Sequence, residues 1–133
     1  MIYTFTIPGH VYSLKNHRPI FINRRTGKRF TGKSKQLAEY QAHAVRALTW
    51  QAKCNGFPIG LAERVLCRID VLYRGKEPDA FGPAETLYDA IQQAGLVIDD
   101  VFLVPWGKPA VSRTHVTSRS EEKAIITLEI SRI

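Results

Sequence analysis

The sequence predicts an α/β protein of the α+β kind, a two-layer sandwich in which a mixed sheet is covered on one side by two helices. Three observations predict it. Ile2–Ile7, Glu63–Arg74 and Ala124–Ile130 alternate apolar and other residues with period two, the pattern of half-buried strands. Residues 34–54 and 82–95 instead place apolar residues at helical spacing between recognisable start and stop signals. Finally, 133 residues with 44% apolar and 23% charged side chains suit one core, and hence a single domain over residues 1–133.

The elements follow in order. Ile2 to Ile7 puts Tyr3, Phe5 and Ile7 on one face and stops at Pro8-Gly9. From His10 to Lys35 the chain carries eight Lys or Arg and no acid. Within it, PIFIN and KRFT flank Arg24-Arg25-Thr26-Gly27, which reads as a short hairpin with a glycine-containing turn. Tyr12, Phe21 and Phe30 are interleaved with these cations, and the two phenylalanines are read as hairpin anchors. A helix then runs from Ser34 as N-cap to Cys54 and stops at Asn55-Gly56, with Leu37, Tyr40, Ala44 and Leu48 as its buried stripe and His43 at the surface. Glu63 to Arg74 is the strongest strand, with Val65, Cys67, Ile69, Val71 and Tyr73 on one face, and it runs toward Asp79. Gly82 as N-cap and Pro83 at the first helical position start a second helix that Gly95 ends. Val101 to Val104 is expected as a short strand, Pro109 to Ser120 as a polar loop, and Ala124 to Ile130 as the closing strand. The predicted order is β, hairpin, α, β, α, β, β.

Charge separates the chain into two characters. The net charge of +7 points to a polyanionic partner, most simply nucleic acid. Arg24, Arg25, Lys28, Arg29 and Lys33 are the candidate phosphate contacts. Residues 78–106 are the opposite: Asp79, Glu85, Asp89, Asp99 and Asp100 fall there, and no Lys or Arg occurs between Lys76 and Lys108. Gathered carboxylates raise one another's pKa unless a cation joins them, and a hard divalent metal is the natural candidate. The competing reading is a solvated Asp-Asp turn and a helix-capping acid. No apolar run approaches the ~20 residues that span a bilayer, and no secretory leader is recognisable. Cys54 and Cys67 lack CxxC spacing and read as reduced core thiols, which suggests a cytoplasmic protein; separately, neither a membrane nor a small-molecule substrate is expected as its partner.

The stretch Pro78-Asp79-Ala80-Phe81-Gly82, then Asp89-Ala90-Ile91, Gly95, an apolar pair and Asp99-Asp100, resembles the RusA-type Holliday-junction resolvases. The likeness covers nearly the whole chain, with its specificity in Asp79 to Asp100. It implies a homodimeric endonuclease that cuts four-way DNA junctions using Mg²⁺ (or Mn²⁺) held by aspartates. Carried over residue by residue, it implies Asp79, Asp99 and Asp100 as catalytic metal ligands, Asp89 as the family's helix aspartate, and Lys108 as its lysine near the scissile phosphate. Two positions depart. Phe81 stands where the family's first block has a second aspartate, and Glu85 stands where it has a lysine in the first helical turn. Either Glu85 has become the replacement ligand, or the chain binds branched DNA with its chemistry weakened or lost.

Overall fold

The computed structural model describes residues 1–13, 20–22, 24–31, 34–79 and 81–130. Seven strands and two α-helices are present among them: β1 (Ile2–Pro8), β2 (Ile20–Ile22), β3 (Arg29–Thr31), α1 (Lys35–Asn55), β4 (Val65–Tyr73), α2 (Phe81–Gln93), β5 (Leu103–Pro105), β6 (Val111–His115) and β7 (Lys123–Ile130). The architecture is the mixed two-layer sandwich that the periodicities predict.

β7 lies between β1 and β4 and runs antiparallel to both, while β5 and β6 pair in parallel with β4. One face of the sheet is buried in strict alternation: Tyr3, Phe5 and Ile7; Val65, Cys67, Ile69 and Val71; Ala124, Ile126, Leu128 and Ile130. Both helices close over that face. Leu37, Ala44 and Leu48 of α1 and Leu87, Ala90 and Ile91 of α2 complete one continuous core. Each buried Leu or Ile contributes roughly 1.5–3 kcal/mol by leaving water. α1 is capped as its sequence predicts: the Ser34 hydroxyl accepts from the Leu37 amide at 3.1 Å, and Gly56 closes the helix in the left-handed conformation.

Three expectations are corrected. Residues 109–120 are not simply a polar loop, because Val111–His115 forms β6 against the C-terminal half of β4. Its alternation is weak because this edge strand buries little of either face. Val101–Val104 is divided between a 3-10 turn at Asp100–Phe102 and β5 at Leu103–Pro105. β5 and β6 are in effect one edge strand broken at residues 106–110, since the Trp106 amide still bonds Cys67 and the Ile69 amide still bonds Ala110. Cys54 is exposed near the end of α1, and only Cys67 is a core thiol. Among the described residues, no helix is long and apolar enough to cross a membrane.

Candidate active site and nucleic-acid surface

The acidic stretch is organised by α2, and its start differs from the sequence reading. The helix begins at Phe81, and the cap is Asp79 rather than Gly82: Asp79 Oδ1 accepts from the amides of Phe81 at 3.0 Å and Gly82 at 2.6 Å. Aspartate outcompetes glycine here because it brings an acceptor to amides that otherwise lack one. Gly82 instead lies buried inside the first turn, where a Cβ would come within 1.8 Å of Ser13 Oγ. The residues after β1 therefore press directly on α2. Thr86 Oγ1 adds a bond to the Tyr12 carbonyl at 2.8 Å.

Asp79 also borders a cleft of about 530 Å³ at the C-terminal end of β4, whose wall includes His10, Ser13, Arg74, Lys76 and Arg113. Arg113 of β6 clamps the β4–α2 connection by donating to the Pro78 carbonyl at 2.9 Å, with Glu77 at 3.6 Å. Arg74 and His10 converge on the buried carboxylate of Glu122, at 3.3 and 2.7 Å. His10, half exposed, is thus held by an acid.

The other carboxylates collect at the far end of α2. Asp99 Oδ1 caps the 3-10 turn through the Val101 amide at 3.1 Å, and the Asp100 amide bonds Gln92 Oε1 at 3.2 Å. Asp100 is pushed above the ordinary carboxylate range by partial desolvation, by its hydrogen bond with Asp99, and by the charges of Asp99 and Asp89. Asp89 is anchored between helices: its Oδ2 accepts from Gln41 of α1 at 2.8 Å and from Gln93 at 2.9 Å. The structure therefore groups Asp89, Asp99 and Asp100, and sets Asp79 apart from them. About 15 Å of helix separates Gly82, which Asp79 caps, from Gln92, which holds Asp100. Glu85 is exposed, and Phe81, at 75% exposure, points into solvent rather than shielding Asp79 from water.

Among the described residues, no three His, Cys, Asp or Glu side chains are grouped so as to hold a metal ion. The donor chemistry fits Mg²⁺ at Asp99–Asp100 all the same. Mg²⁺ commonly takes one or two carboxylates, keeps several waters and adds substrate phosphates. A pair in which one carboxyl is held up by its neighbour is the electrostatic situation that a cation relieves. Asp79, at the opposite end of α2, is outside that pair's reach.

The basic surface is carried by the turn joining β2 to β3, which pair as an antiparallel hairpin. Arg24, Arg25 and Lys28 are exposed on it. Arg29 enters β3 opposite Ile22 in the backbone register. Lys33 lies outside the described residues, as do the side chains of Phe21 and Phe30. Lys108 is exposed in the break between β5 and β6. The sequence reading places Arg113 within the expected polar loop of residues 109–120 and misses the roles of Ser13 and Gln41. The Gly82–Ser13 fit leaves no trace in spacing, whereas the strand around Arg113 was faintly legible in Val111-Ser112-Arg113-Thr114.

No protein-family model matches this chain, and no curated protein is significantly similar to it.

Proposed function

We propose that the protein is a RusA-type, Mg²⁺-dependent, structure-selective endodeoxyribonuclease that acts on four-way DNA junctions as a cytoplasmic homodimer. The observation that carries the reading is the Asp99–Asp100 pair, with Asp100 held above its ordinary pKa, on a chain of net charge +7 whose acid-free segment carries an exposed Arg/Lys turn. Asp99 and Asp100 are the residues that would hold the cation. When bound, a divalent cation activates water and offsets charge developing on the phosphodiester. Arg24, Arg25 and Lys28 attract the phosphate backbone, and Lys108 presents a further cation from the broken edge strand. Asp79 keeps Oδ1 on two backbone amides, while the residue as a whole borders the cleft lined by Arg74, Lys76 and Arg113. Paired incision of a symmetric junction calls for two equivalent sites, which a two-fold dimer supplies.

A second reading, a junction-binding protein without cleavage, is favoured by the distance between Asp79 and the Asp99–Asp100 pair and by the solvent-facing Phe81 and Glu85. Incubating the purified protein with an end-labelled four-way junction, with and without Mg²⁺ or Mn²⁺, separates the two. Symmetric nicks that require the metal and vanish in Asp100→Asn support the nuclease. Retained, junction-selective binding with no nicking under any metal supports the binder.

A further inference from the structure

A second concavity lies on the other side of His10. Four rings follow one another along its wall: His10 and Tyr12 with centroids 4.8 Å apart, Tyr12 and Tyr40 at 5.9 Å, Tyr40 and His43 at 6.4 Å. With Gln36 and Glu39 they line a pocket of about 320 Å³, at the small end of the range for ligand sites. Tyr40 is buried, and its hydroxyl has no hydrogen-bond partner among the described residues, an omission that native interiors seldom leave without cause. The ring of His10 is half exposed. His43 bonds the Pro8 carbonyl through Nε2 at 2.9 Å, which fixes its ring at the rim.

The position of this pocket in the chain is as telling as its lining. His10 and Tyr12 stand at the start of the acid-free segment of residues 10–35, and Gln36, Glu39, Tyr40 and His43 follow its end on α1. The two ends of the most cationic part of the protein therefore meet at an aromatic-walled cavity. Ring faces suit flat π-systems, and stacking tolerates any base. The carboxylate of Glu39, 4.0 Å from Lys35 on the exposed helix surface, makes the pocket a poor receptor for phosphate. It suits a neutral ring that carries N–H donors.

We propose that this pocket binds a single unpaired nucleobase, splayed from DNA whose phosphates lie along the neighbouring basic segment. The proposal rests on the DNA-directed reading above and adds a base-recognising site that the carboxylates and the Arg/Lys turn do not provide. It makes the protein a reader of unstacked bases, which branch points and single strands offer and continuous duplex does not.

Fluorescence titration with two DNAs tests it: a four-way junction carrying 2-aminopurine at the crossover, and a blunt duplex of matching sequence. Wild type is expected to quench the 2-aminopurine on binding. Tyr12→Leu and His43→Ala should each weaken junction binding about 5- to 100-fold and abolish the quench, while duplex affinity stays within about twofold. His43 is at the surface of α1, so its variant reports even if Tyr12→Leu folds poorly. Equal losses on both DNAs, or junction binding and quenching untouched by His43→Ala, would overturn the pocket while leaving the reading of function intact. Failure of wild type to bind either DNA would overturn both.

Discussion

The two ends of α2 carry the same side chain to opposite effect. At the N-terminal end Asp79 accepts from two backbone amides with one oxygen and borders a cleft whose wall also carries Arg113, Arg74 and Lys76. At the C-terminal end Asp100 has Asp99 and Asp89 for company, and desolvation together with their charges displaces its pKa upward. A helix dipole sharpens the contrast, since negative charge is favoured at its start and disfavoured at its finish. One aspartate therefore stabilises the fold where it stands, and Asp100 is held against its own electrostatics. Groups kept in unfavourable surroundings are functional candidates. The basic region repeats the lesson at larger scale: its cations are gathered on one turn instead of being spread among the acids.

The largest expected effect sharpens this comparison through catalysis. Asp99→Asn and Asp100→Asn should each reduce Mg²⁺-dependent junction cleavage by more than the roughly 10–100-fold typical of outer-shell losses, with binding retained in gel-shift assays. Cleavage that survives both substitutions would remove the pair from the site. Next in size is DNA affinity. Neutralising Arg24, Arg25 and Lys28 should flatten the slope of log K against log salt by up to about 3 per protomer engaged, at about 0.9 per phosphate contact. An unchanged slope would move the binding surface elsewhere.

Stability distinguishes the helix ends next. Gly82→Ala should cost about 1–3 kcal/mol in denaturant unfolding, because the new methyl collides with Ser13, and Ser13→Gly in the same chain should recover most of it. Asp79→Ala should cost about 1 kcal/mol by removing the cap, whereas Asp79→Asn keeps an acceptor and should leave the melting temperature nearly unchanged. Lost cleavage in the stable Asp79→Asn protein would show that its charge serves chemistry as well as the helix.

The smallest effect is the pH dependence of Asp100. Its folded pKa lies above the unfolded one, so the native state binds the extra proton, and stability falls as pH rises from the ordinary carboxylate value through the raised one. In metal-free buffer Asp100→Asn should therefore melt slightly higher than wild type above that window and show a shallower loss through it. Added Mg²⁺ should narrow the gap. Identical melting curves across the range would mean that the pair is not under strain.

Much of this was legible from residue order because it depends on local periodicity. Val65 to Tyr73 and Lys123 to Ile130 alternate so cleanly that only a strand buries one side of them, and the α1 boundaries follow from Ser34 and Gly56. The charge asymmetry is likewise a property of composition, so the basic turn and the acidic stretch were visible before any coordinates. Tertiary structure decided what has no local signature. That Asp79 and not Gly82 caps α2 depends on the β4–α2 connection bringing its carboxylate onto the Phe81 and Gly82 amides, and Ser13 packs against the glycine. β6 exists because β4 offers it an edge, since its own alternation is too weak to specify a strand. Most consequentially, one acidic stretch became two sites, because a helix of fixed rise stands between Asp79 and Asp99–Asp100 and sequence proximity cannot fold across it.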